Sequence, residues 1–205
     1  MTKTVQPAGP EVMVKERLLT AALELFTTKG YAATSVREIV EVAGVTKPVL
    51  YYYFGSKEGI YLELMTEPFE EFGAILAETL DSERSAGEGI LTLCDRIFQL
   101  FVSRLAAARL MYAIYYGPPQ GAPFIDFETY HLRLHEVIGA LVRSGIERGE
   151  LVETEVSDLV WVVLGILNIA LEEQLCQRAP RIDPQGLERV LRLALERFRK
   201  EGESR

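Results

Sequence analysis

The stretch from Thr34 to Tyr61, TSVREIVEVAGVTKPVLYYYFGSKEGIY, constrains the fold more than any other part of the chain. Two short amphipathic segments, Ser35 to Val42 and Thr46 to Phe54, are joined by Ala43-Gly44-Val45, the length and composition of a helix-turn-helix corner. A sharp turn between helices needs a residue that takes a positive φ without a Cβ clash, and Gly44 supplies it. Val36, Ile39, Val40 and Ala43 fall at helical spacing and join Val45 and Leu50 in one apolar wedge that fixes the angle between the two helices. Ser35 followed three residues later by Glu38 predicts a capping box, and Thr46 predicts the N-cap of a second helix with Pro48 in its first turn.

The outward face of that second helix is unusual. Lys47, Val49, Tyr51, Tyr52 and Tyr53 crowd barely two turns. A solvated helix has little use for three consecutive tyrosines. Phenol hydroxyls donate to phosphate oxygens, their rings lie on sugars or thymine methyls, and a lysine reaches a base edge or a phosphate. The alternative is that the tyrosines pack onto neighbouring helices, Tyr51 above all because it is close to Leu50 and Phe54.

The run from Ala22 to Leu64 contains FTTKGYAATSVREI, AGVTKPVLYYYF and GSKEGIYLEL in order. It resembles the DNA-binding domain of the TetR family of ligand-responsive transcription regulators. The resemblance covers the first third of the chain; the remainder matches only in helical layout. It implies a homodimer on a double-stranded DNA operator, with Ser35, Arg37, Thr46, Lys47, Pro48, Val49, Tyr51, Tyr52 and Lys57 as the DNA-binding set. Arg37 and Lys47 are the expected base readers, and Ser35, Thr46, Tyr52 and Lys57 the expected phosphate contacts. Val49 stands where many relatives carry a small polar residue, which favours a thymine methyl. Lys57 also falls in the first turn of the next helix, a poor place for a cation, and a phosphate would relieve the mismatch.

Charge is partitioned. Of the 205 residues, the first 60 carry seven basic against six acidic side chains and the remainder fifteen against twenty-four. The overall charge of −8 therefore sits away from the proposed DNA face, and weak, salt-sensitive binding to non-specific DNA is expected. Cys94 and Cys176 have neither metal spacing nor a disulfide framework, which suits reduced thiols in the cytoplasm. MTKTVQPAGP reads as a flexible arm without a secretory signal. The apolar run Leu159 to Leu171 reads as too short to span a bilayer, so no membrane partner is expected.

Helical periodicity continues along the chain. Helices are predicted over Glu11 to Lys29, from Ser56 to about Leu80 with a kink at Pro68, over Ala86 to Ala107, Arg109 to Tyr116, Phe124 to Arg148, Val156 to Arg178 and Gln185 to Lys200. Gly117 to Pro123 is a loop. An all-α protein of about nine helices follows, divided into an arm (residues 1–10), a three-helix helix-turn-helix domain (11–55) and a helical ligand-binding and dimerisation domain (56–205). The helix from Val156 is apolar around more than one stripe, so a two-fold interface through the last two helices is expected.

A small apolar or aromatic effector is the expected partner of the second domain. Its candidate liners are Phe98, Phe101, Tyr112, Tyr115, Tyr116, Phe127, Tyr130, His131, Trp161 and Asn168. Glu128, His131 and His135 share a helical face, but no fourth ligand accompanies them, so neither metal nor cofactor is assigned. The leading reading is a repressor released from a palindromic operator by its effector. Two others compete: an all-α enzyme acting on a hydrophobic substrate, for which nothing arranges the histidines or thiols as a mechanism, and a DNA-binding regulator controlled by a protein partner.

Overall fold

The computed structural model describes residues 10–80, 84–176 and 179–199. Of the expected arm, residues 1–9 lie outside the described residues. Nine helices occur among the described residues: α1 (Pro10–Lys29), α2 (Val36–Ala43), α3 (Lys47–Phe54), α4 (Lys57–Leu80), α5 (Ala86–Ser103), α6 (Leu105–Tyr116), α7 (Phe127–Glu147), α8 (Val156–Cys176) and α9 (Pro184–Glu196). A single antiparallel bridge joins Leu151 and Arg199, and the chain is all-α as expected.

The chain forms two compact units, one gathering Met1–Glu67 with Ala106–Phe124, the other Pro68–Leu105 with Ile125–Arg205. The sequence division at residue 55 placed all of α4 and α6 with the C-terminal helices. Instead the first turns of α4 and nearly all of α6 group with α1, α2 and α3. The reason lies in packing: Ile60, Tyr61 and Met65 of α4 are buried, and the Tyr61 ring meets Phe26 at 6.3 Å and Tyr31 at 5.2 Å. Leu18, Ala22 and Phe26 of α1, Ile39 and Val40 of α2 and Leu50 of α3 complete this small core. The α4 helix runs on through Pro68, whose missing N–H leaves the Leu64 carbonyl without its usual donor. The boundary between the units falls at this residue.

In the second unit α8 is the central element, packed against α5, α7 and α9. Leu159, Val160, Val163, Leu164, Leu167 and Leu171 meet Ile90, Leu93, Ile97 and Phe98 of α5, Val137, Ile138 and Val142 of α7, and Leu187, Leu191 and Leu195 of α9 in one apolar cluster. At 21 residues α8 is long and apolar enough by length and composition to cross a bilayer, so the reading from Leu159 to Leu171 alone understated it. That helix nevertheless keeps one face inside this cluster.

Two element boundaries differ from the sequence reading. The break between α5 and α6 falls at Arg104, not beyond Ala107, and the Arg104 N–H caps α5 by donating to the carbonyls of Leu100 and Phe101 at 3.1 and 3.2 Å. Asp126 caps α7, receiving the Thr129 N–H at 3.1 Å, so that helix starts at Phe127 and not at Phe124. The predicted ends of α8 at Arg178 and of α9 at Lys200 lie outside the described residues.

Gly145 of α7 marks the tightest approach in this unit. A Cβ there would stand 2.5 Å from the Ala86 Cβ and 2.8 Å from the Leu151 Cδ1. Gly145→Ala is therefore expected to destabilise the protein by about 1–3 kcal/mol through overpacking, read as a lower denaturant midpoint with an unchanged slope.

Candidate nucleic-acid interface

The corner between α2 and α3 is built as its residues dictate. Ser35 is extended at the N-cap of α2, its hydroxyl receives the Glu38 N–H at 3.3 Å, and the Glu38 carboxylate receives the Ser35 N–H at 2.9 Å. Gly44 ends α2 in the left-handed region at φ 62°, and the Val45 N–H closes the turn on the Val40 carbonyl at 2.9 Å. Arg17 reaches from α1 to donate to the carbonyls of Ala43 and Gly44, the latter at 3.1 Å. Nothing in the local pattern announced that clamp, since its partner lies 26 residues away and is backbone.

Helix α3 is held to the unit by Leu50, its one buried residue. Thr46 occupies the N-cap with extended backbone, but its side chain makes no capping bond; with Pro48 in the first turn, fewer N–H groups there need an acceptor. Lys47, Pro48, Tyr51 and Tyr52 are exposed, Tyr52 at 78% and Tyr51 at 49%, so Tyr51 does not close the core. Val49 is half-buried. Tyr52 and Tyr53 hold each other edge to face at 5.1 Å. Ser35, Arg37 and Thr46 are exposed as well. Arg37 and Lys47 have no ion-pair or hydrogen-bond partner among the described residues.

Lys57 differs. Its ammonium donates to the Tyr31 carbonyl at 2.9 Å and the Thr34 carbonyl at 3.0 Å and stands 4.2 Å from the centre of the Tyr31 ring. The cation in the first turn of α4 is thus compensated inside the domain, where a phosphate was expected to do so. Ser56, the cap of that helix, receives the Gly59 N–H at 3.1 Å.

The expected effector liners are divided between the two units. Phe98 is buried, and Phe101, Phe127, Tyr130 and Asn168 are half-buried in the second unit. There Tyr130 stacks on Phe69 at 4.2 Å and meets Phe72 at 6.3 Å; neither α4 phenylalanine is among the expected liners. Tyr112, Tyr115 and Tyr116 belong to the first unit, with Tyr115 and Tyr116 exposed. His131 is exposed as well. Trp161 is 61% exposed, its edge against His135 at 5.7 Å. The expectation that Trp161 lines an interior cavity is corrected, because the turn of α8 that buries Val160, Val163 and Leu164 points residue 161 outward.

Residues 18–64 match the family model described as "Bacterial regulatory proteins, tetR family". The chain is 32% identical over 183 residues to the "Probable HTH-type transcriptional regulator YttP" of Bacillus subtilis, covering 88% of this chain and 83% of that protein. The chain belongs to the TetR family. A second family relative, the HTH-type transcriptional repressor BdcR of Escherichia coli, is 28% identical over 179 residues, 84% of this chain and 89% of BdcR. Among solved structures, the TetR family regulator PfmR of Thermus thermophilus superposes with a TM-score of 0.69 at 25% identity, covering 92% of this chain and all of that one. The protein is therefore a TetR-family transcriptional regulator, and the exposed face of α3 belongs to its helix-turn-helix.

One charge in this TetR-type domain titrates far from its usual range. The Lys29 ammonium, bonded to the Glu38 carboxylate, and the Ser35 amide and hydroxyl together lower the acid from 4.5 to about 2. A depressed carboxylate contributes its capping interaction fully above its unfolded value and loses it as pH falls through the folded one. The stability the capping box contributes is thus expected to fall as pH drops from about 4.5 to about 2, with the carboxylate protonating in the folded protein at about 2. Side-chain NMR titration of Glu38 checks this, and Lys29→Ala moves the midpoint upward.

Proposed function

We propose that this regulator acts as a homodimer on a palindromic operator, as a repressor released by a small apolar or aromatic effector, in the bacterial cytoplasm. The observation that carries DNA reading is the exposed surface of α3: Lys47 and Tyr52 stand in solvent on a helix whose one buried residue is Leu50, and Arg37 of α2 is exposed as well. Arg37 and Lys47 read base edges, Val49 a thymine methyl, and Ser35, Thr46, Pro48, Tyr51 and Tyr52 set the backbone register. BdcR, which carries the word repressor in its name, supports the sign of the response.

The dimer rests on a second observation. Helix α8 has an apolar outer face opposite its core face, with Trp161 61%, Val162 38% and Ile169 58% exposed, and α9 adds Val190 at 42% and Leu193 at 66%. Apolar residues at this spacing on adjacent helices fit a two-fold copy of themselves, closing a four-helix interface. Two copies of α3 set about one DNA turn, roughly 34 Å, apart then read two half-sites.

For the effector, the aromatic cluster of Phe69, Phe72, Phe127 and Tyr130, with Phe98 and Phe101 in the same unit, suits an apolar or aromatic molecule. Phe69 and Phe72 lie on α4, the helix that also carries Ile60, Tyr61 and Met65 into the core beneath the helix-turn-helix. An effector that prefers one setting of α4 over another shifts operator affinity by that preference and no more. Control by a protein partner is the alternative, and melting the protein against a panel of small aromatic and acyl molecules separates the two, since only an effector raises the midpoint.

Duplexes recovered from a random DNA pool provide the operator for two measurements. Lys47→Ala should weaken the best duplex by about 1–3 kcal/mol and flatten its preference. Lys57→Ala should weaken all duplexes alike and leave the salt slope unchanged, because its ammonium serves carbonyls; a slope smaller by about one would restore a phosphate contact. Leu193→Glu is expected to give a folded monomer in sedimentation, with at least tenfold weaker binding to the palindrome and little change on a half-site.

A further inference from the structure

Helix α1 ends on Gly30, whose φ of 86° turns the chain into the left-handed region, and the Gly30 N–H returns to the Phe26 carbonyl at 3.1 Å. That bond gives the Gly30 amide its acceptor but leaves the next amide, Tyr31 N–H, without the intrahelical acceptor a fuller capping motif would give it. Tyr31 is buried, so its amide needs an acceptor from elsewhere. The acceptor is the side chain of Gln120, whose Oε1 stands 2.8 Å from the Tyr31 nitrogen and comes from the loop after α6, 89 residues away in sequence.

The same corner sets the start of α2. The Tyr31 carbonyl receives the Thr34 N–H at 3.3 Å and the Lys57 ammonium at 2.9 Å. The Thr34 hydroxyl donates back to the Gly30 carbonyl at 2.9 Å, and the next residue, Ser35, caps α2. Fixing one amide of this corner therefore fixes where α2 begins, and α2 carries Arg37 and the turn into α3. Gly30 leaves room for the contact, since a Cβ at residue 30 would lie 2.7 Å from Gln120 Oε1.

We propose that Gln120 is a positioning residue for DNA binding: by accepting the Tyr31 amide proton it ties the loop after α6 to the corner from which α2 starts. A shift of that loop then reaches the DNA-reading helices as release of the corner. This extends the regulator reading above and rests on it.

The experiment compares wild type, Gln120→Ala, Gln120→Glu, which keeps an oxygen acceptor at the same reach, and Pro119→Ala as a loop control. Each is measured by amide hydrogen exchange at Tyr31 and by affinity for one duplex that wild type recovers from a random pool, at a temperature where circular dichroism shows every variant folded. Gln120→Ala should exchange Tyr31 at least tenfold faster and bind the duplex about tenfold more weakly, while Gln120→Glu and Pro119→Ala stay within about threefold of wild type in both. Unchanged exchange or unchanged affinity in folded Gln120→Ala overturns the proposal. So does loss of affinity in Gln120→Glu equal to that in Gln120→Ala, because the acceptor would then not be what matters. If wild type recovers no duplex, the regulator reading fails and takes this proposal with it; wild-type binding matched by Gln120→Ala defeats this proposal alone.

Discussion

The DNA-reading face depends on how little holds α3. Eight residues make no stable helix alone in water, and only Leu50 of the eight is buried. The corner that leads into it is fixed by Gly44 in the left-handed region, the Val45 N–H on Val40, and the Arg17 guanidinium on the last carbonyls of the corner. With Leu50 buried and Val49, Tyr53 and Phe54 half-buried, the remaining side chains of the helix are free of packing duties. Lys47, Tyr51 and Tyr52 therefore stand out in solvent where a ligand as large as a duplex can meet them.

The same economy runs through the α1–α2 corner. Phe26, Tyr31 and Tyr61 supply the apolar mass, while Lys57 and Gln120 saturate backbone groups that the sharp turn leaves without partners. Polar side chains here do the work that helix ladders do elsewhere. Their removal is expected to loosen geometry before it unfolds anything, because the aromatic packing beneath them remains.

Helix α8 shows a different balance. An all-round apolar helix must bury both faces. One face is covered by α5, α7 and α9; the other, with Trp161 and Ile169, is left to solvent within one chain. In the proposed dimer a second copy of the chain covers this surface, and Leu193 on α9 extends it.

Short-range chemistry made much of this legible in the sequence. The Ser35–Glu38 capping box, the positive φ of Gly44, the loop at Gly117 to Pro123 and the order of nine helices follow from residues within one or two turns of each other, and the family resemblance sits in the same stretch. The break at Arg104 was not legible, since neither glycine nor proline marks it. Nor were the side chains that close the DNA-binding unit. Whether Trp161 faces in or out, whether Lys57 meets a phosphate or a carbonyl, and what Gln120 reaches are set by groups tens of residues away, through burial and hydrogen bonds that exist only once the helices have packed. The amino-acid order by itself determined which segments are helical and which helix is dressed for DNA, because periodicity and capping are local; the tertiary structure alone decided which polar side chains serve the backbone and which remain free, because buried amides and carbonyls take their partners from whatever the fold brings within about 3 Å.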